Sequence, residues 1–99
     1  MARNNRRKAR VDDNQNDIVA ALRDIPGVTV ETDHDDLFIG YNGRNYWIEL
    51  KSERAVSKLT GNILESQLKE SQKRLRDTWK GHYAICWTID QILKEIGIK

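Results

Sequence analysis

Asp36, Glu49 and Lys51 are the residues of this chain best placed to do chemistry together. They lie in the stretch Asp35 to Lys51, D-D-L-F-I-G-Y-N-G-R-N-Y-W-I-E-L-K, where two runs rich in aromatic and β-branched residues flank Asn42-Gly43. Asn-Gly between such runs is the strongest short-range signal for a β-hairpin. A two-residue turn sets Tyr41 opposite Arg44; counting back predicts Ile39 opposite Tyr46, Phe38 opposite Trp47 and Asp36 opposite Glu49. Residues directly opposite share one face of the sheet, with Cβ atoms roughly 4.5–5.5 Å apart. The strand period of two returns Lys51 to the face of Glu49. The turn alone thus predicts two carboxylates and an ammonium on one patch.

Like charges placed opposite each other destabilise a sheet, by up to roughly 1 kcal/mol. A divalent cation between them turns repulsion into attraction, and hard ions such as Mg²⁺ take oxygen ligands. An E-x-K triplet by itself says little, because fifteen acids and eight lysines in 99 residues give about one by chance. Its place at a strand end, opposite an acid across a turn, says more. An acid, a hairpin, then Glu49-Leu50-Lys51 resembles the D…(D/E)-x-K signature of the PD-(D/E)XK nuclease superfamily, and the wider layout is most similar to its VRR-NUC (virus-type replication-repair nuclease) branch. An edge hairpin whose charges are merely solvated is the competing reading.

The length suits one domain with a small core, to which three Trp and three Tyr contribute buried area. No run is long or apolar enough for a membrane helix, and no apolar segment follows the basic N-terminus as in a signal peptide. A single cysteine, Cys86, fits a reducing intracellular compartment, so a cytoplasmic location is expected, including that of a phage protein in its host. Arg3, Arg6, Arg7, Lys8 and Arg10 put five positive charges and no acid into the first ten residues, leaving twelve basic against fifteen acidic residues in the rest. Two readings of residues 1–11 stand side by side: a flexible arm that contacts the phosphates of a nucleic acid, or a solubility tail.

Residues 12–99 read as the folded domain. A first helix is expected from Asp12 or Asp13, with Ile18, Val19, Leu22 and Ile25 as its apolar positions and Pro26-Gly27 as its stop. Val28 to Thr32 alternates as a strand, and the acids and His34 between Glu31 and Asp36 read as a solvated loop. Ser52 to Thr60 shows no period and reads as a loop near the site. Asn62 and Glu65 suggest the start of a long helix ending near Lys80-Gly81, with Gln72 inside an apolar stripe of Leu64, Leu68, Leu75 and Trp79. A lone amide there calls for a hydrogen-bonding partner. His82 to Thr88 reads as a last strand. Thr88 with Gln91 is a capping box for a final helix closed by Gly97. Cys86 has no base at catalytic spacing.

The order α-β-β-β-α-β-α, with a hairpin largely apolar on both faces, predicts an α/β (α+β) fold whose mixed central sheet carries helices on each side. The resemblance, from about Asn14 to Gly97, implies a restriction-endonuclease-like core and a metal-dependent DNA endonuclease that hydrolyses phosphodiester bonds, in branched DNA of the Holliday-junction type. It implies Mg²⁺ or Mn²⁺ held by Asp36, Glu49 and the Leu50 carbonyl, with Lys51 orienting water or offsetting charge. In the family an Asn and an acid on the first helix assist the metal; Asn14 and Asp17 occupy those positions, and Asp17 read alone is a solvated helix residue. Leu68-Lys-Glu-Ser-Gln72 with Trp79-Lys-Gly81 resembles the layout that carries the family's active-site Gln, and Gln67 is the rival position. The implied partners are DNA and a second copy in a homodimer, with no membrane and no organic cofactor. A non-catalytic nucleic-acid-binding domain of the same fold is the alternative.

Overall fold

The computed structural model describes residues 5–98, with side chains from Asn14 onward. Arg3 lies outside the described residues, and the side chains of Arg6, Arg7, Lys8 and Arg10 lie outside the described side chains. The chain forms α1 (Asn5–Arg23), β1 (Val28–Asp33), β2 (Asp36–Tyr41), β3 (Arg44–Leu50), α2 (Glu70–Thr78), β4 (Tyr83–Cys86) and α3 (Ile89–Ile96), with single 3₁₀ turns at Glu53–Ala55 and Glu65–Gln67 between β3 and α2. The sheet order is β1-β2-β3-β4. Its first two pairings are antiparallel and β3-β4 is parallel, so the sheet is mixed, as the sequence predicts.

The β2-β3 register is the expected one: Asp36 faces Glu49, Phe38 faces Trp47, Ile39 faces Tyr46 and Tyr41 faces Arg44. Asn42 and Gly43 both take positive φ, 55° and 78°, which gives a two-residue turn the twist its strands need. Alternation then divides the sheet. Val28, Val30, Leu37, Ile39, Tyr46, Ile48, Leu50 and Cys86 line one face and form a single core with Ile18, Val19 and Leu22 of α1 and Ile92 and Ile96 of α3. Arg23 at the end of α1 donates from Nη2 to the Val30 carbonyl at 2.7 Å, which ties the helix to the edge strand. α2 packs on β4 and covers part of the opposite face. α3 starts as expected, with Gln91 N–H donating to Thr88 Oγ1 and Gln91 Oε1 accepting from Thr88 N–H, and ends at Gly97 with φ of 91°.

Several elements differ from expectation. α1 begins at Asn5 rather than Asp12 or Asp13, with no acid in its first turn. Arg, Lys and Ala are good helix formers, so the helix continues beyond the residues its packing requires. The acidic loop expected between Glu31 and Asp36 is instead more strand: β1 runs to Asp33, and a two-residue turn of His34 and Asp35 leads into β2. His34 there takes φ of 56°, a conformation uncommon outside glycine. The long helix expected from Asn62 is shorter. Val56 pairs with Ile63 to close a finger at residues 57–62, and Leu68 and Lys69 are extended, so α2 starts only at Glu70. Extended Leu68 is buried at 6 % exposure, a burial the continuous helix was expected to provide. β4 is confined to four residues, shorter than His82 to Thr88.

Candidate functional site

The face turned away from the main core carries Asp36 and Phe38 from β2, Trp47 and Glu49 from β3, and Tyr83 and Ile85 from β4, all set by register. Asp33 on β1 stands opposite Asp36, so three acids form a row across three strands. The row does not converge. Asp33 is exposed, with His34 Nε2 at 3.8 Å, and among the described residues no group of three or more His, Cys, Asp or Glu side chains is arranged to hold a metal. The tight pair is Asp36 and Glu49.

Glu49 is only 5 % exposed. Its carboxyl is pushed up to about 8, first by burial and then by a hydrogen bond to Asp36 and by the Asp36 charge, with Lys51 opposing the rise. That hydrogen bond needs a proton, since two ionised carboxylates offer no donor. Asp36 Oδ1 is buried and has no donor among the described residues. No lysine, arginine or histidine among the described residues lies within 4 Å of either carboxylate. Ionised, the pair has no positive partner among the described residues; a proton shared between the two carboxyls, or a cation, would balance it.

A cleft of about 340 Å³ opens over the pair, walled by Asp33, His34 and Asp35 of the first turn, Trp47, and Lys69, Ser71, Gln72 and Leu75 around the start of α2. Gln72 is 8 % exposed, and its Oε1 accepts from the Lys69 backbone N–H at 2.9 Å. This is the partner its buried amide requires, and it orients the side chain. Lys51 lines an adjacent cleft of about 570 Å³ with Asn14, Ser52, Arg54 and Gln67, and Asp35 and the strand end at Leu50 complete its wall. The two glutamines thus divide between two clefts that share Asp35. Lys51 is near enough to oppose the rise at Glu49 without forming an ion pair. Leu50 N–H donates to the Asp35 carbonyl at 2.9 Å, and among the described residues no reciprocal bond runs from Asp35 N–H to the Leu50 carbonyl. Asp17 is exposed on α1 and lines neither cleft, whereas Asn14, one turn earlier, does.

Tyr83 belongs to this site although the sequence reading did not place it there. Its hydroxyl is buried without a partner and pushed up to about 12, by burial and then by the charges of Glu49 and Asp36. Trp47, beside it in the parallel ladder, has an indole Nε1 in the same state. The signal was available in the strand alternation but needed the β3-β4 pairing, which no local motif announces. Lys69 and Asp35 were missed for a related reason, since one was assigned to a helix interior and the other to a solvated loop. Cys86 is buried at 2 % exposure and its thiol is raised to about 12, chiefly by burial, so it is no nucleophile. Among the described residues no helix is long and apolar enough to cross a membrane. No family model matches the chain, and neither a curated protein nor a solved structure matches it.

Proposed function

We propose that this chain is a Mg²⁺- or Mn²⁺-dependent endodeoxyribonuclease that hydrolyses phosphodiester bonds in branched or structured DNA. One observation carries the reading: two carboxylates, Asp36 and Glu49, meet across the β2-β3 ladder in a half-closed cleft with no basic side chain among the described residues in ion-pair reach. Once both are ionised, two carboxylates placed opposite each other repel, and a divalent cation between them turns that repulsion into attraction. The donors available are the Asp36 and Glu49 carboxylates and the Leu50 carbonyl, all hard oxygen ligands suited to Mg²⁺ or Mn²⁺. When bound, such an ion supplies Lewis-acid charge to a phosphate ester and eases deprotonation of the attacking water.

The remaining roles fall to the chain's own groups. Lys51, in the adjoining cleft, offsets negative charge growing on the phosphate oxygens. Gln72 has its Oε1 committed to Lys69, which leaves its amide N–H₂ as a donor on the wall of the acid cleft. The basic residues Arg3, Arg6, Arg7, Lys8 and Arg10 would add sequence-independent affinity for phosphates. Cutting two strands of a junction takes two such sites, hence a homodimer.

The test is incubation of purified protein with linear, nicked, forked and four-way DNA in Mg²⁺, Mn²⁺ or EDTA. Strand breakage that requires metal and disappears in Glu49→Gln is expected. Metal-independent binding with no breakage would instead favour a non-catalytic DNA-binding domain, a reading that fits the finding that no third acidic ligand joins the pair among the described residues. Absence of both binding and breakage would exclude both.

A further inference from the structure

The acid cleft is not the only concave feature on its face. Beyond Trp47, which walls both, lies a groove of about 500 Å³ bounded by Phe38, Gly40, Asn45, Trp79 and His82, with Thr29 and Glu31 on its β1 side. Phe38 and Trp79 flank Trp47 in it, with centroids 5.7 Å and 5.3 Å from the Trp47 ring, the second edge to face. Phe38 remains 40 % exposed and Trp79 50 % exposed, the two largest exposed aromatics among the described residues. The Trp79 position is built in, because Gly81 lacks the Cβ that would come within 2.9 Å of the indole Nε1. Its neighbour Lys80 is exposed.

We infer that this groove is a stacking site for one unpaired nucleobase of the strand whose phosphate lies at Asp36 and Glu49. The inference rests on the nuclease reading for the place of that phosphate. Phe38 follows Asp36 by two residues on the same face, roughly 7 Å along the strand. That matches about one extended nucleotide, roughly twice the 3.4 Å rise of a stacked strand. The acid pair sits on a cleft floor beneath α2 and the first turn, a place one strand enters more readily than a whole duplex. Thr29, Asn45 and His82 put hydroxyl, amide and imidazole groups on the rim for base edges, while Lys69 at the acid cleft and Lys80 beside Trp79 suit flanking phosphates. Aromatic stacking accepts every base, so the site selects DNA with unpaired nucleotides at the scissile bond rather than a sequence.

Binding is measured on the intact chain in EDTA, where cleavage does not intervene, by anisotropy of labelled oligo(dT) and of an abasic strand of equal length. Trp79→Ala and Phe38→Ala should each weaken oligo(dT) binding at least about fivefold. They should leave the abasic strand unchanged, and Trp79→Phe should restore most of the affinity. With Mg²⁺, the Ala variants should raise KM for substrates unpaired at the cut and leave kcat unchanged. Equal affinity of parent and Ala variants for oligo(dT), an equal loss on the abasic strand, or no oligo(dT) binding by the parent would overturn the inference. Ring-dependent binding without cleavage of any DNA would support the stacking site and refute the nuclease reading, so the two failures are distinct.

Discussion

The two faces of the sheet are drawn from the same strands by alternation, yet they are built in opposite ways. On one, Leu37, Ile39, Ile48 and Leu50 close against α1 and α3 with almost no exposure. On the other, Asp36, Phe38, Trp47 and Glu49 take the intervening positions, under partial cover from α2. All the buried side-chain polar atoms without a partner among the described residues, Asp36 Oδ1, Trp47 Nε1 and Tyr83 OH, belong to this second face. One face satisfies itself, and the other is complete only with something added. Among the described residues these unsatisfied groups gather on one face, which is why the proposed site is placed there.

The largest effect that would sharpen this contrast is on the closed face. Leu37→Ala should cost about 2–5 kcal/mol in urea denaturation, since Leu37 is fully buried and its truncation removes buried apolar contacts. Phe38→Ala, one residue along and 40 % exposed, should cost no more than about 1 kcal/mol. Comparable losses at both positions would erase the distinction between the faces.

The next effect is a pH dependence confined to the open face. Glu49 holds its proton more tightly folded, at about 8, than its ordinary value of 4.5. Its contribution to stability is therefore whole below about pH 4.5 and is lost as pH rises through about 8. In EDTA, denaturation midpoints should fall over that window, and Glu49→Gln should remove this part of the fall. Mg²⁺ should bind more tightly as pH rises, with release of a proton on binding. A midpoint flat in the parent across the window would mean that the pair carries no stored proton.

Much of this contrast is legible in the sequence where a local signal is strong. Asn42-Gly43 determines the β2-β3 register, and with it the meeting of Asp36 and Glu49. Thr88, Gln91 and Gly97 delimit α3 in the same way. What could not be read depends on pairing between distant segments or on a local rule broken. The turn at His34-Asp35 hides behind a run of acids and uses positive φ without a glycine. The break before α2 follows from the Val56 to Ile63 finger and from burial of Leu68, neither visible in helical periodicity. Tyr83 reaches the site only through the parallel pairing of β3 with β4. The physical division is between contacts set by adjacent residues and contacts set by the closure of long loops.

The central claim, that Asp36 and Glu49 form an unfinished cation site, is tested most directly by thermal melts of the parent and Asp36→Asn at pH 8.5, first in EDTA and then in saturating Mg²⁺. At that pH Glu49 is above its raised value of about 8, and the substitution keeps the shape while removing the charge that stands opposite it. The metal-free variant should be as stable as the parent or more so, by up to roughly 1 kcal/mol. Mg²⁺ should then stabilise the parent by mass action and the variant far less. If Asp36→Asn melts several degrees below the parent in EDTA and gains as much from Mg²⁺, Asp36 is partnered within the fold and the cation site does not exist.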